Sequence, residues 1–244
     1  MTATINILDE IKEGSHKARG LRVWEETMAN TSHKGPATFT ALAIAVVFFL
    51  SQGAGTLAAQ TIIDEWATVQ APKPPELKPV TLDPKTTALL VLDFVKQTCN
   101  AERRPRCLTS VPRVQTLLKL ARGKGITVVH SITTAATPAD IAKELTPVEG
   151  EPIVKAPADK FFKTDLEKIL NDKGIKTVVI VGTAAQGAVL NTASQAAFRG
   201  LQVIIPVDGM SAENTYFEQY TAYHLANAPG VGQQVTLTKI DLIK

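Results

Sequence analysis

From about residue 85 to the end of the chain, short unbroken apolar runs alternate with helical periodicities, which predicts an α/β domain. Its expected form is a mostly parallel, doubly wound sheet flanked by helices, a Rossmann-like three-layer arrangement. Three observations carry this. Residues 88–92 within 87–93, and 178–181 within 177–182, are apolar throughout instead of alternating, as strands covered on both faces are. The segments between such runs show i, i+3, i+4, i+7 apolar spacing and end at glycines. The strand–helix–strand order recurs without an internal repeat, which implies right-handed parallel crossovers.

In chain order, residues 87–93 give the first strand. Ser110 caps a helix whose stripe is Val114, Leu117, Leu118 and Ala121, stopped by Gly123 and Gly125. Residues 126–130 form a second strand and residues 152–155 a short third. Thr164 and Glu167 have capping-box spacing for a helix carrying Leu166, Ile169 and Leu170 and ending at Gly174. Strand 177–182 then turns on small residues into a helix over 188–199. A strand over 203–208, a helix over 216–228 and a terminal strand over 234–237 complete the alternation.

The chain divides into a lead and signal peptide or membrane anchor (1–59), a proline-rich linker (60–84) and the α/β domain (85–244). The apolar residues 41–50 followed by Gly53, Gly55, Ala58 and Ala59 have the layout of a signal-peptide core and cleavage zone. A strongly apolar stretch of this length is short of the roughly twenty residues a spanning helix needs. Counting from Ala37 to Ala59 allows an anchor, so the expectation is export, periplasmic or secreted, cleaved or anchored. Membrane contact is expected only there. Met1 and Met28 are both plausible starts. Cys99 and Cys107 flank a polar loop and, in an oxidising compartment, can close a small ring.

With 26 Lys+Arg against 23 Asp+Glu and a net charge of +3, and with no basic stripe, nucleic-acid binding gains no support. The four histidines show no metal-ligand spacing, so neither a metal nor a cofactor is expected. Ligands of parallel sheets bind beyond the carboxyl ends of the strands, which directs attention to strand ends. Asp93 closes an apolar strand, where partial desolvation suits a carboxylate to acid–base use. Lys155 ends Pro-Ile-Val-Lys and is suited to hold a carboxylate. The turn over residues 182–189 offers backbone amides and a helix N-terminus to an anion. It has the glycine spacing of a phosphate loop, but Ala188 and Val189 stand where lysine and a hydroxyl residue should, which excludes nucleotide binding of that type. Arg103, Arg104 and Arg106 read as solvated loop charges, and Tyr216, Tyr220, Tyr223 and His224 as a helix face packing on the domain or on a partner subunit.

Together, residues 89–93, Lys155 with residues 164–166, residues 179–189 with Thr192, Ala193 and Gly200, and Val207-Asp208 resemble the isochorismatase-like (cysteine hydrolase) superfamily. The resemblance spans Lys85 to the end. It implies Asp93 as the acid–base aspartate and Lys155 as the site lysine, in preference to Lys160. It further implies oxyanion amides from the backbone around Thr183, Ala184, Gly187 and Ala188, and a cis peptide between Thr183 and Ala184. Amidases of the superfamily carry a nucleophilic cysteine where this chain has Ala188, and a methyl group cannot attack a carbonyl. The aspartate and histidine of the superfamily's metal-binding branch are also missing. Two readings follow. One is a hydrolase working without a cysteine on a small, carboxylated molecule, with Asp93 as acid or base and Lys155 as anchor. The other is a catalytically inactive homologue that binds a small anion or assembles in the periplasm. A homo-oligomer is expected in either case.

Overall fold

The computed structural model describes residues 61–244, of which residues 61–70 belong to one unit and Ala71–Lys244 to another. In the first unit the described residues form a helical turn, Ile62–Glu65, closed at its start by reciprocal bonds between Thr61 and Asp64. The apolar run over 41–50 lies outside the described residues. Among those described, no helix is long and apolar enough to cross a membrane.

The second unit is a seven-stranded parallel sheet. Its strands are β1 (Thr87–Leu92), β2 (Thr127–Ile132), β3 (Ile153–Lys155), β4 (Thr177–Thr183), β5 (Gln202–Pro206), β6 (Met210–Ser211) and β7 (Val235–Thr238). Spatially they run β3-β2-β1-β4-β5-β7, with the two-residue β6 paired to the end of β4. Four helices cover it: α1 (Pro105–Gly123), α2 (Leu166–Asp172), α3 (Leu190–Phe198) and α4 (Thr215–Asn227). Each strand of the sheet's centre is buried along its length, which is why β1 and most of β4 read as continuous apolar runs.

The two faces have separate cores. Val111, Val114, Leu117, Leu118 and Ala121 of α1 pack on Leu89, Val91, Val179 and Val181. On the other face Leu166 and Leu170 of α2, Ala193 and Ala196 of α3 and Leu225 of α4 pack on Leu90, Leu92, Val178 and Ile180. The alternation of odd and even residues between the two faces follows from the period-two side-chain geometry of a strand.

Boundaries differ from the expected ones in informative places. Helix α1 begins at Pro105, five residues before Ser110, because proline lacks the N–H that a first helical turn leaves unbonded and has the helical φ built in. The Ser110 hydroxyl bonds the Cys107 carbonyl inside the helix. The expected helix over 188–199 is preceded by a π-turn, Ala185–Val189. Residues 78–82, assigned to the linker, are tied down: Lys78, Val80 and Leu82 donate to Leu237, Leu242 and Lys244. Tyr216 is largely exposed and Tyr220 and Tyr223 are partly so, so the face they form packs on the domain less than expected.

Candidate active site

The chain lays down β1, β2 and β3 outward in one direction, then returns to the other side of β1 for β4. The strand order therefore reverses between β1 and β4, which is where such sheets leave a crevice at their carboxyl edge. Leu92 pairs with Gly182 across that junction, so Asp93 and Thr183 are the next residues on either side of it. A methyl group on Gly182 would fall 2.6 Å from the Leu92 Cβ and 2.8 Å from its carbonyl oxygen. Glycine here is what lets the two strand ends approach.

Asp93 leaves β1 with a φ of 57°, a left-handed conformation that aspartate tolerates better than most residues. Its backbone N–H still bonds Ser131 at the end of β2, while Thr98 donates its hydroxyl to the Asp93 carbonyl at 2.5 Å. Asp93 is 4% exposed. Ser131 Oγ donates to Oδ1 at 2.8 Å, and Lys160 Nζ donates to Oδ2 at 2.7 Å.

Lys160 is fully buried and also donates to the carbonyls of Ala156 and Pro157, at 3.1 and 2.6 Å. The three protons of its ammonium group thus have three acceptors. Its backbone is anchored by Thr192 of α3, whose hydroxyl accepts the Lys160 N–H at 3.2 Å. Burial raises Asp93 above the ordinary carboxylate value, and the opposing pull of Lys160 and Ser131 does not cancel it. Burial likewise lowers Lys160, against the field of Asp93. Both shifts are in the direction of the uncharged forms, and burial is the first cause of each.

Lys155, the expected partner of Asp93, is exposed at the end of the edge strand β3. In that strand Val154 is buried and Lys155 points the other way, as alternation requires. The lysine meeting Asp93 is Lys160, from the loop that follows. Ser131 is a further member that sequence reasoning missed; its signal was its position one residue beyond His130, in register with Leu92.

The peptide between Thr183 and Ala184 is cis, as expected. Ala188 is buried in the turn that follows. The Gly187 amide, an expected oxyanion donor, is taken by the Ala184 carbonyl at 3.0 Å. The arginines depart furthest from expectation. Arg104 is 6% exposed and grips Glu213 through Nε and Nη2 at 2.8 and 2.7 Å. Arg106 makes a two-pronged pair with Glu218 of α4. Cys99 and Cys107 form a disulfide, which encloses Arg104. The sequence holds two cysteines and both are consumed in this bond.

The isochorismatase domain model matches residues 87–238 of this chain. The chain belongs to the isochorismatase family. It is 38% identical over 112 residues to the secreted isochorismatase effector Isc1 of Verticillium dahliae, covering 41% of this chain and 59% of that protein. It is 27% identical over 154 residues to the N-carbamoylsarcosine amidase of an Arthrobacter species, covering 52% and 58%. The matches thus span under two thirds of either relative's length. Among solved structures it resembles an isochorismatase-like hydrolase from Alkaliphilus metalliredigens, at TM-score 0.58 and 26% identity, covering 64% of this chain and 87% of the other. The N-carbamoylsarcosine amidase of Thermoplasma acidophilum shares the isochorismatase fold at TM-score 0.56 and 21% identity, covering 64% and 97%.

Proposed function

We propose that this isochorismatase-family protein is a hydrolase that works by proton transfer, without a covalent intermediate, on a small carboxylated molecule. The observation that carries the reading is the buried Asp93–Lys160 pair in a chain whose two cysteines are both spent in a disulfide. With Ala188 in the turn, the thiol route of the family's amidases has no nucleophile.

Vinyl-ether hydrolysis suits what remains. Protonated Asp93 delivers its proton to the terminal carbon of the enol ether, leaving an oxocarbenium ion. Water adds to that cation and returns a proton to Asp93, and the hemiketal splits into a ketone and an alcohol. Lys160 and Ser131 hold the carboxylate through the cycle, and the amides of the turn other than those of Gly187 and Val189, which the Ala184 carbonyl takes, are the seat for a substrate carboxylate. The name of the Verticillium relative supports the chemistry, and on the same ground we propose export of this chain, with its disulfide formed outside the cytosol.

The test is release of pyruvate from isochorismate by the purified full chain, beside ammonia release from N-carbamoylsarcosine. Pyruvate without ammonia is expected, with Asp93→Asn folded and inactive. A folded wild-type protein that releases neither would overturn the reading. That result would favour a non-catalytic binding module, for which one observation speaks: both oxygens of Asp93 and all three protons of Lys160 are satisfied within the protein.

A further inference from the structure

Arg104 is buried, charged and absent from the chemistry just described, and it sits inside the ring closed by Cys99 and Cys107. Its contacts run in two directions. Nε and Nη2 hold Glu213 Oε1, and the second oxygen of Glu213 accepts from the Gln186 side-chain amide at 3.1 Å. Gln186 belongs to the π-turn that carries Ala188. In the other direction Nη1 reaches the Thr98 carbonyl at 3.4 Å, and the Thr98 hydroxyl holds the Asp93 carbonyl. The Asp93 backbone and the Ala188 turn lie at the ends of different strands, and this run of hydrogen bonds links them through Arg104, a residue of the disulfide ring.

We propose that Arg104 is a positioning residue and that the Cys99–Cys107 bond is what holds it in place, so that the ring sets the spacing between the acid–base carboxylate and the anion-binding turn. The ring residues 100–103 are largely exposed and contribute little packing of their own, whereas Arg104 and Cys107 are buried. The Arg104 backbone bonds Asn100 and Cys107 and runs into α1, and the covalent closure adds a fixed tie from the start of α1 back to Cys99, one residue from Thr98. Glu213 answers to the same grip: Arg104 and Gln186 hold its carboxylate down to about 2 although burial works against them. Misplacement of reacting groups by about an ångström can cost on the order of a hundredfold in rate.

The proposal rests on the proton-transfer reading for its kinetic consequence, so the test uses two readouts, one of which needs no activity. The first is an Ala188→Cys reporter in the full chain, whose thiol is the single free one. Its alkylation rate by iodoacetamide against pH gives a thiol pKa, expected below the roughly 8.5 of a free cysteine at this helix N-terminus. Into this background go Glu213→Gln and, separately, Cys99→Ser with Cys107→Ser. If Arg104 acted only through its charge, Glu213→Gln would bare that charge and lower the thiol pKa, and the cysteine pair would change nothing. Loss of positioning moves both toward the free-thiol value, which is the expected result.

The second readout, on wild-type Ala188, is pyruvate release, where both variants should lose about ten- to a hundredfold in kcat/KM while circular dichroism stays near wild type. Arg104→Lys, which keeps charge without the two-pronged grip, should not restore the rate to wild type. A thiol pKa that falls in Glu213→Gln and stays fixed in the cysteine pair overturns the positioning role whatever the activity. A silent wild-type protein with the expected thiol shifts would instead overturn the hydrolase reading and leave the positioning intact.

Discussion

The Asp93–Lys160 pair makes a specific claim at the scale of single residues. Removing one partner of a buried, hydrogen-bonded pair leaves a charge without compensation, which typically costs about 3 to 5 kcal/mol. Lys160→Met should therefore lower the urea midpoint strongly, moderated because burial already raises the Asp93 pKa and so eases uptake of a proton. Asp93→Asn combined with Lys160→Met should recover part of that loss, whereas Lys155→Ala, on an exposed side chain, should change stability by no more than about 0.5 kcal/mol. A double variant less stable than Lys160→Met alone would refute the pairing. The same residues show what was legible. Asp93 was, because a carboxylate that closes an unbroken apolar run is carried to the carboxyl edge of a buried sheet, where ligands bind. Lys160 was not: it comes from a loop whose path is set by Thr192 on α3, and no local pattern encodes a contact that distant. Lys155 ended a strand as expected, but a three-residue edge strand gives too short an alternation to reveal which face its last residue takes. Arg104 and Arg106 read as solvated charges because their carboxylate partners, Glu213 and Glu218, lie more than a hundred positions away in sequence.

Among the elements, the junction of β1 with β4 is the most constrained. The approach of Gly182 to Leu92 leaves no room for a methyl group against either the side chain or the backbone oxygen. Gly182→Ala must part the two strand ends, and overpacking of this kind costs roughly 1 to 3 kcal/mol. Because Asp93 and Thr183 are the adjoining residues, the same shift should reduce turnover more than the lost stability accounts for at a temperature where the variant is fully folded. Thermal denaturation and kcat measured on one preparation would check this, and a variant of wild-type stability and rate would contradict the close approach. Strands and helices were largely readable because burial on both faces, apolar stripes and stop glycines are local signals. The exceptions have physical reasons. A two-residue strand such as β6 has no periodicity to detect, and the start of α1 at Pro105 was hidden by a segment that is polar up to Cys107.

Among the described residues a further buried titratable network lies in β2, away from the strand junction. His130 is 1% exposed in β2, and its Nε2 lies 2.9 Å from Glu151 Oε2, which also pairs with Arg122 near the end of α1. Burial lowers His130 below 6.5, and the neighbouring carboxylate only partly opposes this. A histidine whose folded value is depressed is protonated first in the unfolded chain as the pH falls, so its contribution to stability is complete above about 6.5 and is lost on acidification below it. The carboxylates act lower down. Glu151 is burdened by burial, yet Arg122, the Val148 amide and His130 together bring it below 4.5, and Glu213 falls to about 2. Their contributions are present above 4.5 and lost as the pH falls through the folded values. Asp93 works in the opposite sense, being raised: what it contributes is full below 3.8 and lost as the pH rises through its folded value. His130 should thus add a decline on acidification below about 6.5 and the two glutamates a further one below about 4.5, each opposed by what Asp93 gains as it takes up its proton. Urea midpoints between about pH 4 and pH 8 for wild type and His130→Gln separate the two windows. The substitution keeps a hydrogen-bonding group near Glu151 but cannot take up a proton, so it should abolish the upper decline and leave the lower one. An upper decline that survives in His130→Gln would assign it to another group and remove His130 from the account of acid sensitivity.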